Sequence, residues 1–118
     1  GGLGRDSLFG DLGADIFVFN TALGNNNIDI ITNFNVVDDV IHLENAIFRS
    51  LTTVGVLNVN NFVTGTRALD NNDFVIYNSS SGALLYDADG TGRTAAVQFA
   101  TLVGVSGGAV TASDFVVI

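Results

Sequence analysis

Two consecutive nine-residue segments with one shared pattern open the chain, GGLGRDSLF and GDLGADIFV. Each has glycines in its first half, an Asp at its sixth position and an apolar residue at its eighth. Glycine lets the backbone turn with positive φ, and the apolar residue can bury the short strand that follows. A fixed short period is typical of stacked repeats, in which no unit buries its apolar face alone. The alternative is a pair of ordinary Gly/Asp turns in an all-β protein.

Both repeats contain oxygen ligands of the kind that Ca²⁺ prefers. Calcium is a hard cation that takes about six to eight oxygens from carboxylates and backbone carbonyls. The candidate ligand positions of the first repeat are Gly1, Gly2, Gly4 and Asp6. Those of the second repeat are Gly10, Asp11, Gly13 and Asp15.

The pattern resembles the calcium-binding repeats of the repeats-in-toxin (RTX) proteins. Residues 29–43, DIITNFNVVDDVIHL, are similar to the segment that follows the repeats in serralysin-type C-terminal domains of that family. The positions that match the family's two motifs are Asp29, Ile31, Phe34, Asp39, Ile41 and Leu43. The final SDFVVI also resembles the family's ending, an acidic residue before a short apolar tail. Two departures are Asp11 in a glycine position and Val37 in the turn before Asp39, where the family usually has Gly.

The resemblance implies an all-β fold in which a short calcium-binding parallel β-roll leads into a β-rich cap. The cap would be sandwich- or roll-like, with at most one short helix. Residues 1–118 would form a single domain, with 1–27 as the end of the repeat array and 28–118 as the cap and secretion-signal region. Because the chain begins within the repeat pattern, we expect further repeats upstream.

The functional expectation follows from the same resemblance. It implies a non-catalytic calcium-binding module at the C-terminal end of a larger secreted bacterial protein. The module would direct type I secretion and fold on binding calcium outside the cell or at its surface. Its partners would be calcium ions, the type I exporter and the upstream domain of the parent chain. The alternative is a calcium-dependent carbohydrate- or surface-binding module, such as an adhesin or surface-layer domain.

The expected geometry of a β-roll predicts how a site would be assembled. Two nonapeptides complete one turn, so loops about eighteen residues apart would share an ion. Loop 10–15 then pairs with the segment near residue 28, which makes Asp15 and Asp29 the preferred site. Loop 1–6 pairs with an upstream loop or with residues 19–24, which carry no carboxylate. Asp39 is a further ligand by family resemblance, or else a turn carboxylate before a strand.

The segment DADGTG, residues 87–92, is a secondary candidate for calcium. Asp87 and Asp89 stand two apart before Gly90, which is the opening spacing of a D-x-D-x-D-G loop. The third carboxylate and the closing Glu of that loop are missing. A plain Asp-Gly turn between two strands explains the same residues.

Apolar clustering and alternation predict the secondary structure. The expected strands are 16–19, 28–34, 40–43, 95–102 and 114–118, with a hairpin over 73–89. Residues 54–63 are expected to form a strand or a turn. Residues 44–51, ENAIFRSL, are the helix candidate because their apolar residues have roughly helical spacing.

Charge and composition exclude several classes of function. Twelve acidic residues face four basic ones for a net charge of −8, which disfavours nucleic acid and anionic membranes and favours a cation. No apolar run is long enough to insert into a membrane. The absence of cysteine excludes disulfides and thiolate metal sites. With one histidine and no G-x-S-x-G or H-E-x-x-H motif, we expect no enzyme here, and any catalysis would lie in an upstream domain.

Overall fold

The computed structural model describes residues 4, 6–10, 13–24, 27–91 and 95–118. These residues form two β-sheets, one six-stranded and one four-stranded, so the predicted all-β class is confirmed. The strands are β1 (Ser7–Phe9), β2 (Ile16–Phe19), β3 (Asp29–Thr32), β4 (Val40–Leu43), β5 (Gly55–Val56), β6 (Phe62–Thr64), β7 (Val75–Asn78), β8 (Ala83–Tyr86), β9 (Val97–Val103) and β10 (Phe115–Val117). One-turn 3-10 helices, Val59–Asn61 and Ala112–Asp114, precede β6 and β10. None of the described helices has the length and apolarity needed to cross a membrane.

The first four strands alternate between the two sheets. β1 and β3 are parallel neighbours in the six-stranded sheet, and β2 and β4 are parallel neighbours in the four-stranded sheet. With two strands to a turn, these four strands make two turns around a shared interior, as expected for stacked repeats. Phe17, Phe19 and Ile31 point into this interior and are buried.

The remaining strands extend both sheets beyond the coil. In the six-stranded sheet the order is β1-β3-β9-β8-β7-β6, and β7 and β8 form the antiparallel hairpin predicted over residues 73–89. In the four-stranded sheet the order is β2-β4-β10-β5. The C-terminal strand β10 therefore lies between two others, with Phe115 and Val117 almost fully buried.

Aromatic side chains join the two sheets at the centre of the core. Phe48 packs edge-on against Phe99 and Tyr86, with ring centroids 5.1 Å apart in both contacts. Phe19 of β2 meets Phe99 of β9 at 5.2 Å in the same orientation. Such edge-to-face pairs are favourable beyond the apolar area that they bury.

The helix expected over residues 44–51 is wrong, because this segment forms consecutive turns. The Phe48 amide donates to the Glu44 carbonyl as in a helix, but neighbouring amides bond elsewhere. Asn45 N donates to Ile118 O at 2.9 Å, and Ser50 N donates to the Tyr86 hydroxyl at 2.9 Å. A segment this short has little helical stability of its own, so these tertiary bonds and the burial of Phe48 decide its conformation.

We expect Phe48→Ala to lower the free energy of unfolding by about 3–5 kcal/mol, because it leaves a cavity among packed rings. Chemical denaturation followed by circular dichroism measures this loss. Phe9→Ala is the matched control, since Phe9 is 61 % exposed. The control should change stability by less than about 1 kcal/mol. Equal losses from the two variants would contradict the described core.

Candidate metal site

Two pairs of aspartates lie at the beginnings of the coiled strands. Asp6 precedes β1 and Asp29 begins β3, while Asp15 and Asp39 directly precede β2 and β4. The Asp6 amide donates to Asp29 Oδ1 at 2.9 Å, and the Asp15 amide donates to Asp39 Oδ1 at 3.0 Å. Because paired strands are parallel, the two members of each pair meet at the same end of their sheet. The nine-residue repeat therefore builds the same arrangement twice.

Each pair is also joined through the backbone in the other direction. Ile30 N donates to Asp6 O at 2.8 Å, and Val40 N donates to Asp15 O at 3.0 Å. An aspartate of the repeat thus gives its amide to a carboxylate of the following turn and accepts an amide with its carbonyl. Both bonds fix the backbone of the repeat aspartate relative to its partner.

One carboxylate oxygen in each pair has no hydrogen-bond partner in the described part of the chain. These atoms are Asp6 Oδ2 and Asp15 Oδ2, and both are buried. Their partner residues Asp29 and Asp39 are 3 % and 4 % exposed. A buried carboxylate oxygen without a donor is costly, and an ordered water or a bound cation would remove the cost. The carboxylates present therefore fit a hard cation.

The pairing expected from an eighteen-residue period is wrong. Asp29 lies beside Asp6 rather than Asp15, and Asp15 is paired with Asp39. The separations in sequence are 23 and 24 residues, because the chain between β2 and β3 is longer than in a bare repeat. The first repeat loop thus has a carboxylate partner, which residues 19–24 could not supply.

The additional residues after β2 account for part of the longer spacing. Asn27 holds the turn after β2, because its Oδ1 accepts from Gly4 N at 2.6 Å and its Nδ2 donates to Ala22 O at 2.8 Å. The asparagine run at residues 25–27 does not fit the nine-residue repeat. It was the signal in the sequence that could have revealed the larger separation between paired aspartates. Asn27 is thus a residue of the site region that the repeat pattern did not single out.

Asp39 has the hydrogen bonds of a turn carboxylate before a strand, and its role as a calcium ligand stays a prediction. Besides the Asp15 amide, it accepts the Asn35 amide on Oδ2 at 2.8 Å. Val37 occupies the position where the family usually has Gly. It is 75 % exposed at the tip of this turn. It is not among the described residues with positive φ, so the valine needs no strained backbone there.

Gly10 allows the second repeat to approach the Asp39 carboxylate. A Cβ at this position would lie 2.6 Å from Asn33 O and 2.9 Å from Asp39 Oδ2, closer than real contacts allow. Gly4 and Gly13 have φ of 96° and 91°, as expected for glycines of the repeat loops. The remaining predicted ligand positions Gly1, Gly2 and Asp11 lie outside the described residues.

The secondary candidate lies elsewhere, directly after β8. Asp89 N donates to Asp87 Oδ1 at 3.3 Å, and Gly90 has a φ of 63°, which are features of a tight turn. Within the described ranges, no three Asp, Glu or His side chains are grouped closely enough to hold a metal among themselves. A cation at any of these aspartates would therefore need backbone carbonyl oxygens as well, which calcium readily accepts.

Two further buried aspartates have structural roles, and of these only Asp114 stood out in the sequence, as the acidic residue before the apolar tail. Asp73 Oδ2 accepts the amides of Leu69 and Asp70, and Asp114 Oδ2 accepts the amide of Thr111 at 2.8 Å. Both residues begin the same tripeptide, Asp-Phe-Val, and stand just before a strand. This recurrence was the available signal for a carboxylate that closes the preceding turn.

Burial makes the charged form of several of these carboxylates unfavourable. Desolvation raises the pKa of Asp29 and of Asp114 above the usual 3.8. Burial also raises the pKa of Asp87, with a smaller contribution from a hydrogen bond to the Asp89 side chain. A nearby cation would have the opposite effect on Asp29, since it favours the ionised form.

These shifts predict how stability depends on pH in chelator. With a raised pKa, the folded chain binds more protons than the unfolded chain between pH 3.8 and the folded-state value. The contribution of these groups to the free energy of unfolding therefore falls as pH rises through that window. We expect Asp114→Asn to flatten this decline, because Asn keeps an acceptor for Thr111 N but carries no charge. The denaturation midpoints of the variant and of the unchanged chain, measured at a series of pH values, give the two slopes.

Asp38→Asn is the matched control, because Asp38 is an exposed residue of the same type. Its pH profile should run parallel to that of the unchanged chain. A profile for Asp114→Asn with the unchanged slope would contradict the assignment of the decline to this buried carboxyl.

The geometry of the two carboxylate pairs is the basis for assigning a function. Comparison of the chain with family models, with curated proteins and with solved structures finds no significant match.

Proposed function

We propose that this chain is a non-catalytic calcium-binding module of a larger secreted protein. The observation that supports it most directly is the repeated aspartate pair, in which the carboxylate of one aspartate accepts the backbone amide of the other. Asp6 with Asp29, and Asp15 with Asp39, each combine a buried partner and a buried oxygen without a donor among the described residues. The carboxylates that would hold the ions are these four, together with backbone carbonyls of the glycine loops.

Calcium suits the available ligands better than other common metals. The chain has no cysteine and a single histidine, so the soft and borderline ligands of zinc and copper are scarce. Magnesium keeps several waters in strict octahedral geometry, whereas calcium accepts flexible sets of carboxylates and carbonyls. The net charge of −8 also raises the local concentration of cations.

Calcium binding of ordinary strength would be enough to control folding. Extracellular calcium modules have dissociation constants of about 10⁻⁴–10⁻³ M. An ion at about 100 times its dissociation constant stabilises the folded state by about 2.7 kcal/mol, and an ion far below that constant contributes almost nothing. A module of this kind would be weakly folded where calcium is scarce and would fold where it is abundant.

This behaviour accords with the proposed type I export. The resemblance to RTX proteins supports a module that leaves the cell unfolded and folds outside as calcium binds. In the folded chain, β10 is enclosed between β4 and β5. An exporter that reads the C-terminal residues would therefore have to do so before folding is complete.

The test is a calcium titration by calorimetry, with thermal melting in calcium and in chelator. We expect calcium to raise the melting temperature, and Asp15→Asn to weaken binding about tenfold or more, because Asp15 would contribute a charged ligand. Asn keeps an acceptor of similar size, so the variant removes the charge with little change of shape. Asp6→Asn should weaken binding at the other pair in the same way.

Asp70→Asn serves as the control, since it removes the same charge from an exposed loop residue of the cap that belongs to neither pair and is far from both in sequence. Its calcium affinity should stay within about twofold of the unchanged chain. A chain that melts at the same temperature in calcium and in chelator, and releases no heat on titration, would overturn the proposal.

A further inference from the structure

A cavity lies at a distance along the chain from the carboxylate pairs, between two turns of the cap. It has a volume of about 440 Å³ and is lined by Arg67, Ala68, Leu69, Asp87, Gly90 and Thr91. Pockets that hold small ligands typically have volumes of about 300–1,000 Å³. None of the aspartates of the two pairs contributes to its walls.

The wall residues offer complementary polar groups and an apolar surface. Asp87 is only 7 % exposed, so its carboxyl group is held in place and largely removed from bulk water. Arg67 and Thr91 are exposed and can supply hydrogen-bond donors, and the Thr91 hydroxyl can also accept. Leu69 is 68 % exposed and presents an unpaired apolar surface beside them.

The turns that form the cavity are held together by close backbone packing. Gly90 has a φ of 63°, and a Cβ there would lie 2.5 Å from Asp70 O and 2.6 Å from Asn71 C. The turn after β8 therefore rests directly on the loop before β7. On that loop, Asp73 Oδ2 accepts the Leu69 and Asp70 amides at 3.0 and 3.1 Å. The two turns are thus held against each other in the folded chain, and the cavity lies between them.

The charges of the walls limit what the cavity can take. Among the described wall residues, Arg67 and Asp87 are the only ones with charged groups, and their charges are opposite, so these walls favour neither a strong anion nor a strong cation. Within the described ranges, three Asp, Glu or His side chains are nowhere grouped closely enough to hold a metal, this cavity included. The remaining candidate is a neutral ligand that has both hydrogen-bond donors and acceptors. The C–H surface of such a ligand could pack on Ala68 and Leu69.

We propose that this cavity binds a neutral polyhydroxylated ligand, such as one saccharide unit. The ligand's hydroxyl groups would donate to Asp87 and accept from Arg67, as hydroxyl groups do both. A ligand held by a few hydrogen bonds in a half-open site has a dissociation constant on the order of 1 mM. Binding here does not involve the aspartates assigned to calcium, so the two proposals can fail separately.

The experiment is an amide chemical-shift titration of the full chain, folded in saturating calcium or otherwise under conditions where it is shown to be folded. The probes are the methyl glycosides of glucose, galactose, mannose and N-acetylglucosamine, with glucuronate and glucosamine as charged counterparts. We expect one of the neutral probes to shift the amides of residues 67–69, 87 and 90–91. We expect the charged counterparts to bind more weakly.

Arg67→Ala should weaken that binding about tenfold or more, because it removes the charged donor. Arg49→Ala is its matched control, since Arg49 is also exposed and lies outside the cavity. Asp87→Asn is a second variant with little risk to folding, as burial already disfavours the charge at this position. It should weaken binding as well.

Three outcomes would overturn the proposal. These are no shift at the cavity amides with any neutral probe, equal binding by Arg67→Ala and Arg49→Ala, and a preference for glucuronate or glucosamine over the neutral probes. Loss of calcium binding in Asp15→Asn with unchanged saccharide shifts would support a site independent of calcium.

Discussion

Buried carboxylates at the starts of strands accept backbone amides from residues distant in sequence. These hydrogen bonds hold the repeat segment against the strands that follow it. Asp29 and Asp39 each accept the amide of an aspartate in the preceding repeat, at 2.9 and 3.0 Å. These bonds align the parallel pairs β1–β3 and β2–β4, and that alignment points the alternating apolar side chains into one interior. Asp73 and Asp114 accept backbone amides in the same way within the cap, where each closes a turn before a strand.

These buried carboxylates also concentrate negative charge in a folded chain that has few positively charged side chains. Burial raises the pKa of Asp29 and Asp114, which shows that their ionised forms are disfavoured there. Asp6 and Asp15 add oxygens that no described donor satisfies. Hydrophobic burial around Phe48 and Phe99 must outweigh this unfavourable electrostatic term in the absence of a cation. A bound cation would turn the repulsion into attraction, which is the physical link between the fold and the proposed function.

Local patterns predicted the strands well where one face of the chain is buried. Strands 16–19 and 40–43 agree residue for residue with β2 and β4, and the predicted hairpin over 73–89 is formed by β7 and β8. The strand predicted over 28–34 ends earlier, at Thr32, because Asn33 takes a positive φ of 62°. The helix expected over 44–51 does not form: the amides of Asn45 and Ser50 bond to Ile118 and Tyr86 across the molecule, and such distant partners are not part of a local pattern.

The sequence by itself determined that the chain is all-β, that its repeats place aspartates before short apolar strands, and that the groups these repeats offer to a cation are oxygens. These properties depend on residue types and short spacings, which act locally through backbone conformation and side-chain chemistry. Only the tertiary structure decided which aspartates meet. The pairing of Asp6 with Asp29 and Asp15 with Asp39 depends on strand register, and the register depends on the length of the turn held by Asn27. The cavity at Arg67 and Asp87 likewise exists only because two turns distant in sequence pack on Gly90.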